Sequence, residues 1–484
     1  MSSASSVRVT ASPMSADDVV AVADGAHLVL ERDVVEQMQA SHDVLRAAVS
    51  RGSAVYGVTA GLGHARDRRV AAQDVAATQA AMMRAHAGGI GAALPARVVR
   101  SAMMARVVGL SRGGSGARPQ VAACFVAMLN HGIVPIVPAV ASVGAADLGH
   151  MAHIGLAAMG EGTVLVHGSE VPASEALAYA GISPLTLQLR DALAVLSANA
   201  VTLGAGALAL HRTDAHLDRA DDVFATSLDA IRGNPSILLD AVQQAKGGTG
   251  QATSAARMRA RLAGSQRVAQ PASLQDPLSF RVAAVVHGAC RDVARQTREA
   301  LETELNARTD NPVSVPPDRE ISNGNFHPVL VAVMFESLRI ALAHVVLLTD
   351  RRIGQMWDEA VDTALDDPAE LAGHPVPPGL LLRYPAAARS TEARRLANPV
   401  TLDVPILDRG QEDHAMNAPA AVEATEAMLD VVADLAAVEL LTAHHRLETA
   451  PSPAPSESTR RLMDDLTDVL NALPPDASSA VAHR

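Results

Sequence analysis

Apolar side chains recur along this chain at spacings of three and four residues, in runs long enough to set the class of fold. In residues 423–444, Met428, Val431, Val432, Leu435, Val438 and Leu441 fall on one broad helical stripe. Comparable runs cover residues 70–87, 97–110, 189–211, 280–302 and 328–353. Alternation of period two is confined to short pieces such as residues 162–166 (GTVLV). The pattern predicts a mainly α fold, with long core helices and functional loops between them.

Punctuation divides the runs. Residues 1–15 are rich in Ser and Ala and read as a flexible terminus. Residues 247–250, 312–318 and 375–378 carry the Gly and Pro clusters of loops. Residues 451–458 (PSPAPSES) read as a linker before one amphipathic helix and a frayed end at Arg484. The organisation expected is a flexible segment 1–15, an N-terminal domain 16–200, a central helical bundle 201–450, and a linker with C-terminal helix 451–484. No repeat of fixed period is present.

Composition narrows the function. With 484 residues, 49% of them hydrophobic, the chain can bury a large core, although aromatics are only 2%. Net charge is -12 with no long basic run, which argues against a nucleic-acid partner. The cysteines Cys124 and Cys290 form no CxxC pair and suit a reducing, cytoplasmic compartment. The N-terminus lacks the pattern of a signal peptide, and no uninterrupted apolar run reaches the roughly 20 residues of a membrane span, so no membrane partner is expected. His150 and His153 have helical i,i+3 spacing but no HExxH-like partner set, and no P-loop or G-x-G-x-x-G occurs, so neither metal nor nucleotide is expected. The pairs His444–His445 and Asp221–Asp222 read as solvated faces.

Short motifs carry the chemistry. Tyr56 opens YGVTAGLG, a loop whose glycines permit tight turns around a phenol. His86 opens HAGGIG, and residues 111–116 read SRGGSG. Residues 275–281 read QDPLSFR, 306–312 NARTDNP, 323–327 NGNFH and 411–414 QEDH. Residues 141–148 read ASVGAADL. By residue type alone, Tyr56 also fits a ring packed in a helical core. Arg281 fits either a bidentate carboxylate clamp or a salt bridge at a helix start.

Taken in this order, over residues 56–414, the motifs resemble those of the histidine and aromatic amino acid ammonia-lyases. The resemblance implies a fumarase/aspartase-type long central helical bundle with a smaller, loop-rich N-terminal part, assembled as a homotetramer whose active sites are shared between chains. It implies that Tyr56 abstracts the β-proton of a small-molecule substrate and that Arg281 holds the substrate carboxylate. His86 and Glu412 match residues that contact the imidazole ring in the histidine-specific members. His327, in place of the glutamine of plant phenylalanine lyases, points to the same branch. Asn311, Phe326 and Ser197 complete the substrate-binding set implied by the resemblance.

The departures from the pattern cluster. In the family, G-S-V-G-A-S-G-D-L contains an Ala-Ser-Gly triad that cyclises into an electrophilic methylidene-imidazolone. Here Ala145 is followed by Ala146 and then directly by Asp147, and no Ala-Ser-Gly occurs anywhere in the chain. Ser142 belongs to the upstream G-S-V match and does not replace the missing serine. Ser197 stands where the family has an asparagine beside the ring, with Asn199 two residues on. Leu278 stands where it has a tyrosine. No cofactor is therefore expected.

Residues that hold substrate are kept while those that make the electrophile are gone. The function expected is a carbon–nitrogen lyase acting on a histidine-like or aromatic amino acid derivative that brings its own leaving group. Ergothionase-like elimination of trimethylamine from a betaine is the leading form, with Tyr56 and Glu412 as catalytic residues. A cyclase, isomerase or addition enzyme on the same fold is one alternative; a non-catalytic binding or scaffold protein is another.

Overall fold

The computed structural model describes residues 6–366, 382–402, 404–450 and 452–472. The loop expected at 375–378 and the frayed end at Arg484 lie outside the described residues. Two compact units are present, and each is assembled from several chain segments.

The first unit comprises residues 1–211, 297–335 and 400–423. Its helices Val75–His86 and Ala96–Ser111 follow the expected apolar runs, and Arg32–Ser50, Pro119–Asn130 and Leu148–Ala158 add three more. Helix Ala96–Ser111 is buried along most of its length, which explains why nearly every position from Val99 to Ser111 is apolar or small. Small sheets bind the loops. Thr163–Val166 pairs antiparallel with both Ile133–Pro135 and Ser169–Pro172, and Ile90–Ala93 pairs with Pro138–Val140. Ser6–Val9, placed by sequence in the flexible terminus, is a strand parallel to His27–Leu30 that buries Val7 and Val9. Residues 312–318, read as a loop, contribute to a hairpin of Val313–Val315 with Arg319–Ile321.

The second unit comprises residues 212–296, 336–399 and 424–484. Segments of four long helices, Ala200–Ala230, Ala283–Leu305, Val329–Asp366 and Ala418–Thr449, bring Phe224, Leu228, Ala284, Met356, Ala443 and Leu447 into one core. Buried arginines occupy space that aromatic rings would fill in another core. Arg352 pairs with the buried Glu439 at 2.6 and 2.8 Å and lies 5.3 Å from the Phe224 ring centroid. Such a pair is tolerated inside only because both partners are satisfied.

Three expectations need correction here. Asp221 is not on a solvated face: it is fully buried, accepting from His287 at 2.8 Å and Arg291 at 2.7 Å, while Asp222 pairs with Arg257 and Arg261. Cationic partners from neighbouring helices make that burial possible. His444 is likewise buried, 2.9 Å from the Thr467 hydroxyl. The PSPAPSES segment is not a free linker, because Arg267 donates to the Pro453 carbonyl at 3.2 Å and Asp229 accepts the Ser456 N–H at 2.9 Å.

Among the described residues, two stretches are long and apolar enough to cross a bilayer by length and composition, residues 191–230 and 329–358. The first is 94% buried, as the core helix of a globular protein is; the second is 50% buried and exposes Val333, Ile340 and Leu347.

Candidate active site

Residues 141–147 form a tight turn knit by its own side chains. Ser142 Oγ accepts the Gly144 N–H at 3.0 Å and lies 3.0 Å from Asp147 Oδ1 and 3.1 Å from the Ala146 carbonyl. Asp147 is fully buried at the start of helix Leu148–Ala158, where it accepts the Thr202 N–H at 2.9 Å and the Thr202 hydroxyl at 3.3 Å. Burial raises the Asp147 carboxyl above its ordinary range, against the pull of these donors. Gly144 has φ +82°, and a Cβ there would fall 2.6 Å from the Ala418 nitrogen, so this position has no room for a side chain. Ala146 has φ 68°, the left-handed region that disfavours alanine.

Asn199 holds this turn in place. Its Oδ1 accepts the Ala146 N–H at 3.1 Å, and its Nδ2 donates to the Phe326 carbonyl at 2.7 Å and to Glu304 Oε1 at 3.4 Å. The geometry requires a break in the helix predicted over 189–211: Asp191–Leu196 ends, residues 197–199 turn, and Ala200–Ala230 begins. Ser197 is buried, and its hydroxyl has no hydrogen-bond partner among the described residues. The amide that faces the turn is therefore that of Asn199, not a group at position 197. Glu304, which the motifs do not single out, sits beside it with its carboxyl raised by burial.

Tyr56 lies at the head of its glycine loop, where its phenol oxygen accepts the Gly63 N–H at 2.9 Å. The next residue, His64, donates its N–H to Asp408 at 2.9 Å, and its ring contacts the other oxygen of the same carboxylate. A Cβ on Gly63 would lie 2.0 Å from that carboxylate, so the close approach depends on glycine. The His64 contact holds the Asp408 carboxyl below its usual range.

Asp408 and Glu412 belong to one closed turn, with Leu407 N–H donating to the Glu412 carbonyl at 2.8 Å. Burial pushes the Glu412 carboxyl up, the negative charge of Asp408 adds to this, and His86 opposes it. His86 and Glu412 thus share one electrostatic environment. His86 Nδ1 lies 2.8 Å from the Met82 carbonyl one helical turn back. A carbonyl can only accept, so Nδ1 carries a proton, and the lone pair of the uncharged ring form falls on Nε2.

Phe326, His327 and His414 form an aromatic group next to the Asn199 contact. The Phe326 and His327 rings stack at 6.3 Å, and the His327 and His414 rings lie 4.9 Å apart with Nε2 and Nδ1 separated by 2.9 Å. Asn311 turns its oxygen to the Asn323 N–H at 3.0 Å, bracing the loop that leads to Phe326.

The first unit therefore contains Tyr56, His86, Ala145, Ala146, Asp147, Ser197, Asn311, Phe326, His327 and Glu412. Arg281 is in the second, at the end of the short helix Leu278–Arg281; it is exposed, and its guanidinium has no partner among the described residues. Leu278 on the same turn is 64% exposed. His150 is buried with Nε2 3.0 Å from the Ala139 carbonyl. Among the described residues no cluster of three or more His, Cys, Asp or Glu is disposed to hold a metal. Sequence reasoning missed Glu304, His64 and Asp408; the D-R-G turn signal at 408–410 was the one local hint.

Comparison with known proteins places this geometry. A family model described as aromatic amino acid lyase matches residues 14–468. Histidine ammonia-lyase of Symbiobacterium thermophilum is 34% identical over 438 residues, covering 89% of this chain and 86% of that protein. The enzyme of Geobacillus kaustophilus is 32% identical over 434 residues, 89% of this chain and 86% of its own. Among solved structures, the ergothioneine-degrading enzyme ergothionase of Treponema denticola, in complex with desmethyl-ergothioneine sulfonic acid, superposes with a TM-score of 0.91 at 26% identity, over 98% of this chain and 97% of that one. Tyrosine aminomutase of Streptomyces globisporus gives a TM-score of 0.88 at 25% identity, over 98% and 96%.

Proposed function

This chain belongs to the aromatic amino acid lyase family, and from that premise we propose that it eliminates an amine from a histidine-derived betaine without a methylidene-imidazolone. One observation carries the reading: the turn that should supply the electrophile has no serine between Ala145 and Asp147, and its Ala146 N–H is committed to Asn199 at 3.1 Å. The residues at 145–147 do not fit that prosthetic group, so no step is routed through it.

A quaternary trimethylammonium needs no covalent activation, because it leaves as a neutral amine. Tyr56, as phenolate, takes the β-proton; the C–H electrons become the new Cα=Cβ bond, and the C–N pair departs with trimethylamine. Gly63 N–H orients the phenol oxygen for this transfer. The ring would lie between His86 and Glu412. With Nδ1 turned to the Met82 carbonyl, His86 presents Nε2 to the ring, and Glu412, whose carboxyl burial raises, presents its oxygens. An imidazole has one N–H and one lone pair, which this pair complements. Hydrogen bonding to the ring nitrogen also draws off charge that develops as the β-proton leaves. Phe326 supplies an aromatic face for the onium group.

The substrate carboxylate would be met by Arg281 of another copy of the chain, in a homotetramer. Support comes from the Arg281 guanidinium, which has no partner among the described residues, and from the exposed Ile340 and Leu347 on a long helix. A non-eliminating enzyme is the second reading, favoured by the likeness to the aminomutase.

An ultraviolet assay of the purified protein with L-histidine, hercynine and ergothioneine, with mass spectrometry of the released amine, tests the proposal. An acrylate and trimethylamine from a betaine, with none from histidine, is the expected result. Ammonia from histidine would overturn it, and a product that retains the amine would select the second reading.

A further inference from the structure

The turn that carries Glu412 is fastened on both sides by imidazoles. On one side Asp408 receives the His64 N–H and the His64 ring, and Gly63, next to His64, donates to the Tyr56 oxygen. Asp408 is thus the joint between the loop of Tyr56 and the loop of Glu412. On the other side, two residues past Glu412, His414 Nδ1 meets His327 Nε2 at 2.9 Å. Between them, Asp408 (φ 43°) and Arg409 (φ 55°) are both left-handed, a backbone that non-glycine residues adopt only when held.

We propose that Asp408, His64, His327 and His414 position Glu412, through two fastenings that need opposite protonation and so hold the turn only over an intermediate pH range. The inference rests on the reading of Glu412 as a ring-binding group.

The proton logic follows from the geometry. Two ring nitrogens at 2.9 Å need one proton between them. His327 Nδ1 is buried with no partner, which makes it a bare lone pair rather than a donor, so Nε2 carries the proton and gives it to His414 Nδ1. Burial also keeps His327 below the ordinary imidazole range. A second proton between these nitrogens would make one ring a cation, set N–H against N–H and open this side as pH falls. The His64–Asp408 contact is an ion pair only while His64 is protonated, and it weakens as pH rises. The charged groups facing these residues are Arg409 at Asp408, Asp408 and His86 at Glu412, and His414 at His327.

The test is calorimetric binding of imidazolepropionate, a ring ligand with no amine to lose, from about pH 5 to about pH 9. The native protein should bind best in the middle. His64→Gln and Asp408→Asn should each weaken binding about 10-fold near neutrality and remove the alkaline fall. His414→Gln keeps an acceptor for His327 without a second titrating ring, so it should bind within about twofold of native near neutrality and lose the acid fall. Profiles of all three that coincide with native would overturn the proposal. Histidine-selective nitrogen NMR reads the fastenings without ligand: His64 titration should move in Asp408→Asn, and an unmoved titration would also overturn it. Unchanged affinity in Glu412→Ala would instead remove the ring-binding assignment of Glu412, which the NMR result does not depend on.

Discussion

The side-chain oxygen of Asn199 accepts the Ala146 N–H at 3.1 Å while the nitrogen of the same amide donates to the Phe326 carbonyl at 2.7 Å. One side chain thereby ties the shortened turn to the aromatic group. Asn199→Ala leaves a buried N–H and a buried carbonyl without partners, and should cost about 1–3 kcal/mol in urea unfolding together with at least ~10-fold in turnover. Native stability in this variant would show that the tie is dispensable.

On the proposed function the site holds no electrophile, so nucleophilic quenchers should have no target. Cyanide or borohydride treatment should leave both turnover and the ultraviolet spectrum of the protein unchanged. Inactivation with a spectral change would reveal a prosthetic group formed by another route.

The two left-handed positions of the turn should respond oppositely to substitution. Ala146→Gly relieves an unfavourable φ of 68° and should be neutral or stabilising by up to ~1 kcal/mol. Gly144→Ala combines φ +82° with a 2.6 Å approach to the Ala418 nitrogen and should cost at least ~2 kcal/mol, read from thermal unfolding. Equal effects would mean that the turn adapts freely.

Tyr56→Phe should lower turnover at least ~100-fold with little change in substrate affinity. Arg281→Lys should act on affinity instead, since a point charge cannot reproduce two parallel bonds. If the two residues come from different chains, mixing the inactive Tyr56→Phe and Arg281→Ala proteins under dissociating conditions should restore part of the activity. No recovery after verified subunit exchange would place both groups in one chain.

Glu304 gives a pH prediction with a definite sign. Burial raises its carboxyl in the folded state, so folding holds this proton more tightly than the unfolded chain does. The associated stability is fully present below the unfolded pKa and is lost as pH rises through the folded one. Glu304→Gln should remove that part of the decline and be at least as stable as native at neutral pH. A variant whose urea midpoint tracks native at every pH would assign the decline elsewhere.

What the chain discloses by itself is uneven for physical reasons. Long helices such as Val329–Asp366 are legible because burial repeats with the helical period over many turns. The motifs disclose Tyr56, His86 and Glu412 because each stands in a short, locally patterned loop. Sequence puts Ser197 at the asparagine position, with Asn199 only as its substitute, because the helix break at 197–199 comes from contacts with Ala146 and Phe326, and no residue in that stretch forbids helix. The partnership of His64 with Asp408 joins residues 344 positions apart, which no local rule reaches. Asp221 looked solvated because its counter-ions, His287 and Arg291, come from a separate helix.

The scarcity of tryptophan and tyrosine in the chain has an optical consequence. With one tryptophan and three tyrosines in 484 residues, the protein is close to transparent in the near ultraviolet. A conjugated imidazole acrylate formed in the site would stand out against that faint background, so a single turnover could be followed directly at stoichiometric enzyme. The same transparency means that concentrations taken from absorbance rest on very few chromophores and are better set by amino-acid analysis.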